Sequence, residues 1–579
     1  MHPFNLSRKT IILLLLTVAI SSCSKSTESP AGADLSESLL QFVPADSPYV
    51  IAQTTPFPDE VLDQLEPLVD EFLRAQAAVI RAVVEENLEA KVSQGADEGE
   101  IAKFDALADE VGSLMTLDGV RAAGIGRQST SVVYGQGLLP VLRLALTDGK
   151  LMEQTIARIE DKAGSKMSVG KIGAQSYRYA GDDDAKIILA IVDDDLVVSL
   201  VQATHSDALL ESVLGLTKPA KSMADSGELQ ALMKEYSLAP YSLLLVNGTR
   251  IAATFLDDQT GINKELLALM EYDAATISDL CKTEIRALAG IAPRLAGGYT
   301  EINTERWTSV FLVEFRDDIA KGLATLTAPV PGLGNSEAGL FSFGMSLDVL
   351  AARAFYEERL DGMEQDPFQC EYFADLQGSV AQGREALKQP VPPIAYSVNG
   401  FLASVDAIDG MDMANQQPPT SVDGRFLLST NNPQGLLAMG AMFSAELAAL
   451  DLQPDGKPVK LELPPISPLL SEAFVAMTDN ALALSLGNDQ TDKLVKMLDA
   501  DFADPAPFIS LFMDTGRYYE LVAKTIQLEK SDKASPELLA AISDMMTSMA
   551  DWFGKATFDV NFTARGMEVL STIEIAEDE

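Results

Sequence analysis

One ten-residue pattern occurs in both halves of this chain, and its surroundings repeat with it. Residues 191–200, IVDDDLVVSL, align without gaps on residues 477–486, MTDNALALSL. Each is a pair of apolar runs around short polar residues that tolerate positive φ, the composition of a β-hairpin. A helical pattern follows each, from Asp207 and from Thr491. Then come Ser242-Leu243-Leu244-Leu245 and Ser510-Leu511-Phe512-Met513, each a strand closing near a glycine, Gly248 or Gly516. Helical stretches at 266–270 and 538–542 precede terminal hairpins at 298–315 and 557–575. Upstream, Val141 to Thr147 resembles Arg425 to Thr430, each before a helix.

This matching order predicts a tandem duplication, with a first copy at residues 39–317 and a second at residues 336–579. Residues 318–335, which include Ala328-Pro329-Val330-Pro331-Gly332-Leu333-Gly334, read as a Pro/Gly linker. The competing reading is two unrelated domains that share generic hairpins. Either way hairpins dominate and few βαβ crossovers appear. The fold class expected is α+β, with mainly antiparallel sheets and helices packed on one face. The longest helical pattern places Leu62, Leu65, Val69, Phe72, Leu73, Ile80 and Val83 at three- and four-residue steps, an amphipathic stripe that packs on a core.

The N-terminus carries an address. Arg8 and Lys9 precede an apolar run, residues 11–20, too short to span a bilayer. It ends in Ile20-Ser21-Ser22-Cys23, which resembles the bacterial lipobox. Residues 1–22 are therefore expected to be a lipoprotein signal peptide, Cys23 the lipid attachment site, and residues 23–38 a flexible tether. By resemblance to enterobacterial lipoproteins, Ser24 takes the place where an Asp would imply retention in the inner membrane. The expected location is thus the periplasmic face of the outer membrane, with the membrane as a partner through the N-terminal lipid. With 43 Lys+Arg against 85 Asp+Glu, a net charge of −42, the chain offers no basic stripe for nucleic acid.

The lipobox, FVPADSPYVIAQ at residues 42–53, VVYGQGLLPVLRLAL at 132–146 and PRLAGGYTEINTERW at 293–307, followed by APVPGLG, resemble a family of predicted lipoproteins of unknown function in Gram-negative bacteria. The resemblance covers most of the mature chain. It implies compartment and fold integrity, and no activity, substrate or catalytic residue.

The chemistry legible in the sequence is mostly exclusion. The mature chain holds one histidine, His205, at a helix start, which cannot complete a multi-His metal site. Gly135-Gln136-Gly137 lacks the third glycine of a dinucleotide cradle, and the next segment begins a strand. Asp182-Asp183-Asp184 and Asp193-Asp194-Asp195 read as solvated turns. Asp406, Asp409, Gly410 and Asp412 lack the acid spacing and closing Glu of a calcium loop. No catalytic residue, metal site or cofactor is assigned. Cys281 and Cys370, the remaining cysteines, are expected to form a disulfide in an oxidising compartment. The function expected is non-enzymatic binding or assembly in the envelope through a protein partner. The alternative is a carrier or chaperone for an apolar ligand, a lipid or a lipoprotein.

Overall fold

The computed structural model describes residues 38–93, 98–257, 263–265, 267, 270–335, 339–410, 419–462, 472–527 and 536–576. The signal peptide, Cys23, nearly all of the tether, Asp412 and most of the 266–270 stretch lie outside them. The chain divides into two compact units. The first holds the residues up to Ser278 with Arg294–Ser309 and Asp532–Met549; the second holds Asp279–Pro293, Val310–Ser531 and Ala550 onward.

In the first unit, β1 (Tyr49–Gln53), β2 (Ser131–Gln136), β3 (Leu139–Ala145), β4 (Ser168–Ile172), β5 (Gln175–Gly181), β6 (Ala185–Val192), β7 (Asp195–Gln202), β8 (Leu243–Asn247) and β9 (Arg294–Ile302) form one sheet. Its order is β9-β8-β1-β2-β3-β7-β6-β5-β4, and every neighbouring pair is antiparallel. β10 (Arg306–Glu314) follows β9 as the second arm of the hairpin read at 298–315. Asp193 and Asp194 take φ of 50° and 62° in the β6–β7 turn, as the hairpin requires. Helices α1 (Asp59–Ser93), α2 (Glu98–Leu114) and α3 (Leu117–Ala122) join β1 to β2, and α4 (Gly149–Ala163) joins β3 to β4. Asp148 caps α4 by accepting from Lys150 N. α5 (Asp207–Leu214) and α6 (Glu228–Tyr236) follow β7, and α7 (Gly248–Leu256) follows β8.

Helices cover both faces of this sheet, not one. Leu73 of α1, Leu107 and Val111 of α2 and Ile156 of α4 share a core with Leu142, Leu189 and Val198. On the opposite face Arg143 donates to Leu214 O at the end of α5. The reason is in the strands. Ile188, Leu189 and Ala190, like Leu196, Val197 and Val198, are buried in succession, so both sides need cover.

In the second unit, β11 (Phe341–Ser346), β12 (Val398–Asp409), β13 (Ser421–Thr430), β14 (Val459–Lys460), β15 (Ala473–Met477), β16 (Ala481–Leu486), β17 (Ile509–Asp514), β18 (Phe553–Phe562) and β19 (Gly566–Ile575) run in the order β19-β18-β17-β11-β12-β13-β16-β15-β14, again antiparallel throughout. Its helices are α8 (Asp279–Ala289), α9 (Asp317–Leu323), α10 (Val349–Gln365), α11 (Ala374–Lys388), α12 (Pro433–Ala441), α13 (Ala445–Ala448), α14 (Thr491–Leu498) and α15 (Thr515–Gln527); most of α16 (Pro536–Trp552) belongs to the first unit. Here too both faces are covered. Leu494 and Leu498 of α14 pack with Leu402, Leu427 and Ala483, whereas Leu437 and Leu447 of α12 and α13 pack with Val475, Met477 and Leu484.

The segment expected to be a linker is structured. Asp317–Leu323 is helical, and Val330 and Leu333 are 1% exposed within the α14 core. Their apolar side chains outweigh the flexibility that Pro and Gly suggested. Cys281 of α8 and Cys370 are disulfide-bonded, S–S 2.07 Å, inside the second unit.

The two strand orders can be compared residue by residue. Asn247 and Asp514 cap α7 and α15, accepting from Arg250 N at 2.9 Å and Arg517 N at 3.1 Å. Two residues before each cap, one rung runs Leu245, Val50, Tyr134, Val141, Ser199. The other runs Phe512, Ser342, Ser404, Arg425, Ser485. Both end on the serine that the alignment of 191–200 with 477–486 superimposes. The alignment of 242–245 on 510–513 is displaced by one residue from this register, because runs of similar apolar residues carry no mark of which one faces in.

Candidate functional site

Arg425 stands in the middle of β13, where a charged side chain is 6% exposed and needs partners. They come from β12 and from the residue that precedes α14. Its Nη1 donates to Asp406 Oδ2 (2.6 Å) and Gln490 Oε1 (2.8 Å), and its Nη2 to Asp406 Oδ1 (3.0 Å) and Ser404 Oγ (3.1 Å). Lys493 Nζ of α14 donates to Asp406 Oδ2 at 2.7 Å, and Arg517 Nη2 of α15 to Asp406 O at 2.8 Å.

Asp406 reaches this position through a β-bulge. Val405 pairs with Gly424 and Ala407 with Asp423, so Asp406 is the extra residue of β12. The corresponding β2–β3 ladder runs without interruption from Ser131 and Leu144 to Gln136 and Leu139. Gly339 lies over the bulge at φ 101°, where an added Cβ would stand 2.7 Å from Asp406 Oδ1. Burial pushes the Asp406 carboxyl up. The hydrogen bonds and charges of Arg425 and Lys493 outweigh it and hold the group below the usual carboxylate range.

These residues form the floor of a cleft of about 700 Å³. Four cations line it, Arg425, Lys493, Lys496 and Arg517, with three carboxylates, Asp406, Asp423 and Asp489. Among the described residues its lining contains no Ser, Thr, Cys or His. The first unit differs at the matching place. Val141 occupies the rung position of Arg425, and Gln136 Nε2 is used by Ser212 Oγ at 2.9 Å. The charged residue of that face is Arg143, 0% exposed, bound to Asp195 Oδ2 at 2.9 Å and lying 3.9 Å over the Phe42 ring.

A second surface lies on the other side of the same sheet. The rung Phe558, Leu511, Phe343, Ala403, Phe426, Leu484 crosses six strands on one face. Phe341, Phe426 and Phe558 are 36%, 42% and 36% exposed, and the Phe401 and Phe426 rings stack at 5.9 Å. α12 and α13 pack on the β15–β16 end, and between them Met442 and Phe443 are 80% and 85% exposed. In the first unit the equivalent Val133, Leu142 and Val198 lie under α1, α2 and α4. The segment that follows β11 goes elsewhere. Cys370, between α10 and α11, is bonded to Cys281 of α8, and its N–H donates to Glu284 Oε2 at 3.1 Å.

Of the described residues singled out from sequence, Asp406 lines the cleft, whereas His205, Cys281 and Cys370 do not. Cys23 is not among the described residues. Among the described residues the His205 ring makes one hydrogen bond, between Nδ1 and Ser206 O at 3.4 Å. Asp406, read as part of a poor calcium loop, is instead the buried partner of Arg425. Among the described residues no group of three or more His, Cys, Asp or Glu is placed to hold a metal ion, and no helix is long and apolar enough to cross a membrane. Sequence reasoning passed over Arg425, although a lone Arg opening RFLLST in an apolar strand is the kind of residue that must be buried with a partner. Compared with known protein families, with curated proteins and with solved structures, the chain matches none.

Proposed function

We propose that this chain is a lipid-anchored binding or assembly protein of the bacterial envelope, built from two tandem copies of one α+β fold and acting through a protein partner without catalysis. The observation that carries the binding role is the open aromatic face of the second unit. A contiguous apolar patch on a soluble unit is a docking surface far more often than an accident. The duplication is supported by the shared strand order and by the common register from the helix caps to the 191–200 and 477–486 hairpins. The same duplication indicates the occupant. Helices cover that face in the first unit, so the partner offers an amphipathic helix. Against a net charge of −42, its polar side is basic.

The cleft favours binding over catalysis, because Asp406 is held ionised between two cations and, among the described residues, no hydroxyl, thiol or imidazole side chain lines the wall. Its charges also disfavour the apolar-carrier alternative. The test is a photo-reactive aromatic residue at position 426, irradiated in cells. The expected product is a cross-link to one defined protein, weakened by Phe341→Lys and absent from a probe at the exposed Lys388. Cross-links to lipid alone, or equal yield at both positions, would overturn the reading.

A further inference from the structure

We propose that the second-unit cleft binds a small hydroxylated anion, a phosphate or carboxylate carried on a polyol-like body, between Lys493, Lys496 and Arg517. The chain as a whole has about two acids for every base, yet this cleft is lined by four bases and three acids. A local inversion in so acidic a molecule focuses anions at one place.

The individual cations still have donors to give. Lys496 makes no hydrogen bond or ion pair among the described residues. Lys493 is half exposed and spends one N–H on Asp406, while Arg517 Nη1 is 3.8 Å from Asp514 Oδ2. Lys493 and Lys496 are three residues apart on α14 and so share a side of the helix, where like charges repel. An anion between them relieves that repulsion. Arg425 and Asp406 neutralise each other below and form a rigid polar floor. Asp423 and Asp489 add acceptors to the wall, which select an anion that also carries hydroxyl or amino donors.

The cleft is particular to this unit and not a property of the fold. The first unit has neither the bulge nor the arginine at the matching positions, and its Gln136 is already satisfied. Gly332, at φ 74°, keeps the wall thin, since a Cβ there would lie 3.3 Å from Ala500 Cβ. A volume of about 700 Å³ admits a small molecule and not a protein element.

The source of the anion is either a free solute or a lipid headgroup, and calorimetry on the full chain separates them. Glycerol 3-phosphate and citrate are the soluble probes; phosphatidylglycerol vesicles are the membrane probe. Saturable binding of a soluble probe, weakening with salt, is expected. Lys496→Ala and Arg517→Ala should each weaken it about fivefold. Lys457→Ala, outside the cleft lining, should bind as the parent does. Binding to vesicles alone, lost in the same two variants, assigns the headgroup. No saturable binding to any probe at millimolar concentration, or affinity equal to the parent's in both cleft variants, overturns the proposal.

Discussion

Two buried Arg–Asp pairs, one in each unit, behave in opposite ways. Asp195 is pushed up, first by burial and then by Asp193 and Asp194, with Arg143 opposing. Asp406 meets the same burial but has two cations against it, so it moves down. A lowered carboxyl stabilises the fold above the ordinary range near pH 4, and that contribution is lost as pH falls through the lowered value. Removing one member of such a pair is worse than removing both. Asp406→Asn should destabilise the second unit by about 3 kcal/mol, because Arg425 is left buried without its counter-charge. Asp406→Asn with Arg425→Met should recover most of that loss in urea unfolding. Below about pH 4 the parent should lose more stability than this double variant. An additive double variant, or parallel acid curves, would show that the pair is not coupled.

Among the elements, the disulfide sets where α10 and α11 lie. Holding Cys370 against α8 fixes a helical pair whose own buried residues are few, Leu360, Val380 and Gly383. Cys281→Ser with Cys370→Ser should lower the unfolding free energy of the second unit by up to about 4 kcal/mol on the loop-entropy account. The measurement is denaturant unfolding of oxidised and variant protein, with unchanged midpoints as the contrary result. Most elements were legible before this point. The β6–β7 hairpin and the long amphipathic α1 follow from local rules of turn and period, which need no knowledge of partners. The site was not legible, because it depends on what is brought together across the fold. Asp406 becomes a partner of Arg425 only through a bulge, and nothing in LASVDAIDG marks which residue is the extra one. The 318–335 segment was misread for a related reason. Pro and Gly report local stiffness and turning, whereas burial of Val330 and Leu333 is decided by strands far along the chain.

For the whole molecule, the proposed anchor makes Cys23 the determinant of location. Cys23→Ala should leave the chain unlipidated and shift it to the soluble fraction or to an unprocessed precursor, since stable attachment takes more than one acyl chain. Membrane fractionation with and without detergent, together with lipid labelling, decides it; unchanged labelling would remove the anchor from the proposal. The three cysteines of the sequence then have a consequence for biogenesis. In the proposed lipoprotein the Cys23 sulfur is alkylated by a diacylglyceryl group, and as a thioether it can no longer exchange. Cys281 and Cys370 remain, and two thiols permit one pairing where four would permit three. A chain exported from its N-terminus delivers Cys281 89 residues ahead of its partner, so the early thiol waits with no wrong protein thiol of its own chain to meet. On the proposed lipidation and export, maturation asks the cell for an oxidant and not for an enzyme that reshuffles bonds.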